Sequence, residues 1–226
     1  MKKEVLEKMK RILGEEHPKT ITAMNNLAGM YMRGRGVEKD AQQALLLTRT
    51  AAEHDNANSQ LRLGFLYLNG EGVAKDPTEA AKWLQKASDK GAAAAQRSLG
   101  ALYEGGLGVQ RDYSEAARLY CLAAEQGDPR AIAFFATMLF TSRGAKTDQA
   151  EAIRLWHIAA DRGIALAQRN LGLVYANGQG AEKNEAESSK WFRLAASPRE
   201  DAAEPLPIVP MQKLNCAQSL DRTIKG

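Results

Sequence analysis

The stretch LGFLYLNGEGVAKD, residues 63–76, recurs along the chain at a constant spacing of 36 residues. One step later it reads LGALYEGGLGVQRD at 99–112, and one step earlier it reads LAGMYMRGRGVEKD at 27–40. Two further copies are the divergent FATMLFTSRGAKTD at 135–148 and LGLVYANGQGAEKN at 171–184. A repeat length of about 20–50 residues is typical of proteins in which each unit packs only against its neighbours. The sequence therefore predicts an array of five repeats.

The composition fits a helical array and excludes several other classes of protein. The 226 residues are 44% hydrophobic but only 6% aromatic, as expected for helices that pack through Ala and Leu. The 31 basic and 27 acidic residues leave a net charge of +4 without a dense Lys/Arg block, so we expect no nucleic-acid partner. No apolar run approaches the roughly 18 residues that indicate a membrane span.

The cysteines and the amino-terminal residues predict a cytoplasmic protein. Only Cys121 and Cys216 are present, too few for a disulfide framework that recurs through the repeats. Residues 1–14 lack the apolar core, about 7–15 residues long, of a signal peptide. A leader on a longer chain would change this expectation.

Each repeat is predicted to contain two helices joined by a Gly-rich loop, and the first helix ends in a Leu-Gly-x-x-Tyr segment. The loop glycines indicate positive φ or a close approach between helices. A phosphate-binding loop is disfavoured because no Lys-Ser/Thr pair follows the glycines. They are Gly34/Gly36, Gly70/Gly72, Gly106/Gly108, Gly144 alone and Gly178/Gly180.

Each second helix is predicted to begin at a capping residue that is followed three positions later by an acid or amide. In such a capping box the first side chain accepts a hydrogen bond from the third residue's N–H, and the third side chain reaches back. A cap of this kind contributes about 1 kcal/mol. Helix capping explains the pair in all five repeats, so an interpretation of these pairs as catalytic carboxylates is disfavoured. The pairs are Asp40/Gln43, Asp76/Glu79, Asp112/Glu115, Asp148/Glu151 and Asn184/Glu187.

These motifs together resemble the Sel1-like repeat family of the tetratricopeptide-like superfamily, over about residues 23–197. The resemblance rests on the Ala-x-x-x-Leu-Gly-x-x-Tyr helix at 95–103 and 167–175, the Gly-x-Gly-Val-x-x-Asp loop and the Ala-rich second helix ending in Gly. It implies an all-α fold, a right-handed α-solenoid of antiparallel helix pairs, in proteins that mostly act as adaptors. The fourth repeat departs from the pattern, which puts its loop geometry in question, at Phe135, Ala136, Leu139 and Ser142.

The amino-terminal residues resemble a tetratricopeptide repeat of the kinesin-light-chain type. The resemblance covers about residues 4–33 and is carried by ILGEEHPKTITAMNNLAGMY at 12–31. Residues 2–13 are predicted to form an amphipathic helix that Gly14 ends. Because this helix has no preceding partner, we expect either a fragment of a longer protein or an amino-terminal end that self-associates.

The chain is thus predicted to have three parts. Residues 1–22 form the amino-terminal helix and loop, and residues 23–197 form the repeat solenoid, with units starting near 23, 57, 93, 129 and 165. Residues 198–226 form a Pro-rich tail in which the prolines preclude a regular helix between Pro198 and Pro210. Residues 211–223 either form a short helix that covers the last repeat or are disordered.

No pattern of catalytic or metal-binding residues is present in the sequence. The histidines His17, His54 and His157 have no ligand spacing, and no hydrolase, nucleotide-binding or zinc motif occurs. We therefore predict a protein that is not an enzyme and has no cofactor or metal. One alternative is β-lactam hydrolysis, which the resemblance suggests through cysteine-rich relatives, but this chain lacks their paired cysteines. A second alternative is a purely structural spacer.

The predicted function is a protein–protein interaction scaffold that binds an extended peptide or partner protein on its concave face. The resemblance implies that the first helices line that face. Apolar side chains there suggest a partner site, arginines suit carboxylates, and asparagines can bind a peptide backbone. Alternatively these side chains only solvate the groove, and the two phenylalanines repack the divergent repeat. The predicted partner-binding residues are Asn25, Asn26, Arg62, Phe65, Leu68, Arg97, Phe134, Phe140, Arg169 and Asn170.

Overall fold

The structure, a computed structural model, describes residues 2–196 and contains eleven α-helices in that range. This confirms the predicted all-α repeat fold. Residues 211–223, for which the sequence left a short helix or disorder open, lie outside the described residues. The helices are α1 Lys2–Leu13, α2 Pro18–Arg33, α3 Ala41–Glu53, α4 Ala57–Asn69, α5 Pro77–Asp89, α6 Ala93–Gly105, α7 Tyr113–Glu125, α8 Pro129–Thr141, α9 Gln149–Asp161, α10 Ala165–Asn177 and α11 Glu185–Ala196.

The chain divides into two compact units, Met1–Arg111 and Asp112–Gly226. The first unit contains α1 to α6 and the second contains α7 to α11. Within each unit every described helix packs against the next one along the chain. Such stacking of consecutive helices is the arrangement of an α-solenoid, in which contacts are made between sequence neighbours.

The Leu-Gly segment of each first helix is the place where its second helix comes closest. Gly64 of α4 lies against Leu84 of α5, and a Cβ added to Gly64 would lie 2.7 Å from the Leu84 Cγ atom. Gly172 of α10 lies against the Phe192 ring of α11, and a Cβ added to Gly172 would lie 2.8 Å from the nearest ring atom. A larger side chain at Gly64 or Gly172 would separate the two helices of the pair, and the first and fourth repeats carry the next smallest residue, alanine, at this position (Ala28 and Ala136).

One half of each predicted capping box forms. The five capping side chains accept a hydrogen bond from the backbone N–H three residues later, at 2.9–3.0 Å. The returning half of the box does not appear in the described hydrogen bonds. The N–H of Asp76 instead donates to the Tyr67 carbonyl at 2.9 Å, and that of Asn184 donates to the Tyr175 carbonyl at 2.8 Å. The first helix therefore satisfies this donor, and the box prediction is wrong in that respect.

The acids of the boxes pair instead with a base one turn further along the helix. Arg118 donates to the Glu115 carboxylate from two nitrogens, at 2.6 and 2.7 Å, and Arg154 binds Glu151 in the same geometry. Surface pairs at this spacing contribute only about 0.3–0.5 kcal/mol each.

The loop of the fourth repeat keeps its geometry although a serine replaces the first glycine. Ser142 ends α8 with φ 58° and ψ 31°, close to the values of 67° and 35° at Gly106. Its hydroxyl hydrogen-bonds to the Thr147 hydroxyl. The sequence departure therefore does not change the local fold of this repeat.

In the second, third and fourth repeats, the second glycine of the loop contacts the beginning of the preceding repeat's second helix. A Cβ on Gly72 would lie 2.5 Å from the Ala41 carbonyl oxygen. A Cβ added to Gly108 would lie closer still to the Pro77 backbone, and one added to Gly144 would lie closer still to the Tyr113 backbone. These glycines also have positive φ, so an L side chain is excluded by both backbone strain and lack of space. The contact fixes the position of each loop on the repeat before it.

Replacing Gly108 by alanine should destabilise the protein by about 2–4 kcal/mol, because the substitution adds strain at positive φ and overlap with the Pro77 backbone. Gly91 is a matched control, since its φ is +80° but no atom lies within 4 Å of an added Cβ. Gly91→Ala should cost only the φ strain, about 1–2 kcal/mol. Urea denaturation would measure both. Equal losses in the two variants would contradict the packing argument.

Candidate functional site

The predicted partner-binding residues all lie on first helices of their repeats, and they fall into two groups, one in each unit. The group of the first unit lies on α2, α4 and α6, and that of the second unit lies on α8 and α10. The first group is Asn25, Asn26, Arg62, Phe65, Leu68 and Arg97; the second is Phe134, Phe140, Arg169 and Asn170.

The contact between α2 and α4 brings Asn25 and Arg62 together. The Arg62 Nε atom donates a hydrogen bond to the Asn25 Oδ1 atom at 3.2 Å. The Arg62 guanidinium lies over Gly29, where an added Cβ would be 3.2 Å from its Nη1 atom. The Arg33 guanidinium reaches the same place, with its Nη2 atom 3.1 Å from that Cβ position. Arg33 is not among the predicted partner-binding residues.

This pair of guanidiniums is electrostatically unfavourable in isolation. Burial, and then the nearby Arg33 charge, lower the pKa of Arg62. No carboxylate contributes to that shift, and within residues 2–196 neither side chain forms an ion pair. Arginine stays charged in proteins, so the two cations repel each other by about 1 kcal/mol after solvent screening.

The other predicted residues of the first unit differ in their exposure. Phe65 is 37% exposed, on the same face of α4 as Arg62. Leu68 is half-buried and packs against the core formed by Leu63 and its neighbours. Arg97 is half-buried. Leu68 therefore belongs to the packing between helices.

Asn26 is exposed and lines an open hollow between α1 and α2. The hollow has a volume of about 400 Å³. Its other lining residues are Met9, Pro18, Lys19, Thr22 and Ala23.

A smaller pocket, of about 220 Å³, lies between α8 and α10 in the second unit. Phe140 packs on the indole of Trp156, with ring centroids 4.9 Å apart. Asn170 donates a long hydrogen bond, 3.4 Å, to the Thr137 hydroxyl. The apolar lining is Phe140, Trp156, Leu173 and Val174, and the polar lining is Thr137, Thr141, Asn170, Asn177 and Gln179.

The structure thus brings the predicted Phe140 and Asn170 into one pocket. Trp156 is 2% exposed and belongs to the core, but it also lines the pocket. Leu173, 46% exposed, also lines the pocket but is not among the predicted partner-binding residues. The only feature of the sequence that could have indicated Leu173 is that it is an apolar residue at a repeat position that faces away from the core.

Phe134 and Arg169 lie outside this pocket. The Phe134 ring stacks on Tyr120 of α7, with centroids 5.1 Å apart and planes 26° apart. Phe134 therefore takes part in the packing between α7 and α8. Arg169 is exposed on α10.

The described part of the chain offers no group of three or more His, Cys, Asp or Glu side chains arranged to hold a metal ion. None of its helices combines the length and apolar character needed to cross a bilayer.

His157 occupies a half-buried position between repeats of the second unit. Its Nε2 atom lies 3.2 Å from the Tyr175 hydroxyl, and its ring meets the edge of Trp191. Burial lowers the pKa of His157, and the carboxylates of Asp161 and Glu187 oppose that shift. Burial therefore disfavours the charged form of this imidazole.

The Sel1 repeat matches five consecutive stretches, residues 21–56, 57–91, 93–128, 129–164 and 165–197. The chain belongs to the Sel1 repeat family. The first Sel1 repeat includes residues 21–33, for which the sequence also suggested a kinesin-light-chain resemblance, and no such repeat is matched there.

Solved Sel1 structures resemble the chain over most of its length. A Sel1 repeat protein from Oxalobacter formigenes is 35% identical with a TM-score of 0.71, over 79% of this chain and 74% of that one. The protective antigen c5321 of uropathogenic Escherichia coli is 34% identical with a TM-score of 0.76, over 84% of this chain. The match spans only 40% of c5321.

More distant structures share the fold alone. The immunity protein PA5088 from Pseudomonas aeruginosa is 22% identical with a TM-score of 0.52, over 92% of this chain and 82% of that one. No curated protein matches the chain.

The lowered pKa of His157 predicts that this Sel1 protein loses stability in mild acid. The folded state resists protonation, so stability present above the unfolded pKa, about 6.5, falls as the pH drops through and below that value. His157→Gln should reduce the loss in unfolding free energy between pH 7.5 and 5.5, and His54→Gln is the control. Urea denaturation at both pH values measures this. An unchanged pH dependence in His157→Gln would refute the assignment.

Proposed function

We propose that this Sel1 repeat protein is a scaffold that binds an extended segment of another protein along its first helices. The observation that carries the proposal is the pocket between α8 and α10. Ligand pockets are typically apolar with a few polar groups that orient the ligand, and this one is lined by Phe140 and Trp156 together with amide and hydroxyl side chains.

The apolar lining of the pocket can accept one apolar side chain of the partner. Phe140, Trp156 and Leu173 would remove that side chain from water, which contributes about 1.5–3 kcal/mol for a residue of the size of Leu or Phe. That amount is modest, so specific binding needs further contacts along neighbouring helices.

The rim can bind the backbone of the same segment. Asn170 and Asn177 each carry two donors and one acceptor, which match the N–H and C=O groups of an extended chain. The bond from Asn170 to Thr137 is long, 3.4 Å, so Asn170 can exchange it for a peptide group at low cost. In the first unit, the resemblance to kinesin-light-chain repeats suggests the same role for Asn25 and Asn26.

The alternatives have no specific observation in their favour. The hydrolase suggested by cysteine-rich relatives depends on paired cysteines in each repeat, which the sequence lacks. Immunity proteins share this fold, which agrees with a binding role, but at 22% identity the likeness extends to the fold only.

The proposal can be tested by selecting peptides of random sequence on the immobilised full-length protein and measuring their affinities by titration calorimetry. Leu173→Arg places a charge in the pocket and should weaken selected peptides at least about tenfold, or 1.4 kcal/mol. Leu46→Arg changes an exposed leucine on α3, 58% exposed, and should leave their affinity unchanged.

Circular dichroism must show equal helicity for both variants. Failure to select any peptide, or equal binding to the wild type and Leu173→Arg, would overturn the proposal for this pocket.

A further inference from the structure

Two arginines of the first unit lie side by side over a glycine. The guanidinium nitrogens of Arg33 and Arg62 are within 3.3 Å of the same point, the position that a Cβ of Gly29 would occupy. Arg62 is half-buried and is held by its hydrogen bond to Asn25. Like charges are normally kept apart or neutralised, so their proximity without a carboxylate indicates an anion that is supplied from outside.

The repeat register provides a second, independent argument. The positions of Gly29, Arg33 and Arg62 recur three repeats later as Thr137, Thr141 and Asn170. Those three residues line the pocket between α8 and α10. The same positions of the repeat therefore supply polar lining to a pocket in one unit and form a cationic cluster in the other.

We propose that Arg33, Arg62 and Asn25 bind a carboxylate of a partner protein, carried either by an acidic side chain or by a chain terminus. The planar guanidinium fork matches the two oxygens of a carboxylate, and two forks can bind one group from two sides. The inference rests on the proposed function for the nature of the partner, but the site lies in the other unit.

Neighbouring groups favour a protein ligand over a nucleic acid. Phe65 lies one helical turn from Arg62 and is 37% exposed, so an apolar surface adjoins the two charges. Binding of a nucleic acid draws on many phosphate contacts, and the net charge of +4 supplies no basic stripe for them. An acidic residue flanked by apolar ones fits this combination.

Gly29 contributes by having no side chain. Its position in the middle of α2 lets both guanidiniums lie against the helix backbone. A methyl group there would be 3.1–3.3 Å from three of their nitrogens, tighter than ordinary packing, and would push them outward. Gly29→Ala should therefore weaken carboxylate binding while leaving both charges in place.

The test is a titration of the full-length protein, followed by NMR of the arginine Nε–Hε groups, with four probes. One blocked pentapeptide carries a central glutamate between leucines, and a second carries glutamine instead. A third peptide has only a free carboxyl terminus, and the fourth probe is inorganic phosphate.

The glutamate peptide or the terminal-carboxylate peptide should shift the Arg33 and Arg62 signals, and the tighter of the two identifies the source of the carboxylate. The glutamine peptide should bind at least tenfold more weakly. Arg33→Gln, which removes an exposed side chain, should lower the affinity at least fivefold. The matched control Arg35→Gln removes an exposed loop arginine and should change it less than twofold.

Equal binding of the glutamate and glutamine peptides would overturn the inference, as would tighter binding of phosphate or equal losses in Arg33→Gln and Arg35→Gln. These outcomes are separate from failure of the proposed function. Leu173→Arg reports on the second unit alone, and Arg33→Gln reports on the first.

Discussion

Close contact between the loop of one repeat and the backbone of the repeat before it determines this structure. Gly72 meets Ala41, Gly108 meets Pro77 and Gly144 meets Tyr113, each at the first turn of the preceding second helix. A side chain would hold these backbones apart, so the contact sets the separation of neighbouring repeats within each unit. The first helices are then held in a common register, and equivalent residues follow one another at fixed intervals.

That register explains how a uniform scaffold presents different chemistry. Residues that pair the helices or cap their ends are nearly the same in every repeat, because each copy solves the same packing problem. The outward positions of the first helices carry no such constraint. Arg62 and Asn170 occupy the same position, yet one lies in a cationic cluster and the other on the rim of a pocket.

The repeat fold could be predicted from the sequence, and the site only in part. Spacing, caps and loop glycines are local and periodic, so five copies reinforce each interpretation. Contacts between repeats are not local. The stacking of Phe134 on Tyr120 and the approach of Arg33 to Arg62 depend on side-chain directions that the helical pattern does not specify. The prediction of the returning half of the capping box was wrong for the same reason. The N–H of the capping residue donates to a backbone carbonyl of another helix, and not to the side chain three residues later.

The loop contact also constrains how such a chain can change in length during evolution. Gly72, Gly108 and Gly144 each lie 31 residues after the residue that they touch, so each contact joins two neighbouring repeats. Duplication or loss of a whole 36-residue repeat preserves the interval everywhere, so the array can lengthen or shorten in complete units. Insertion of a single residue between the two partners would move a side chain into the space that only hydrogen can occupy.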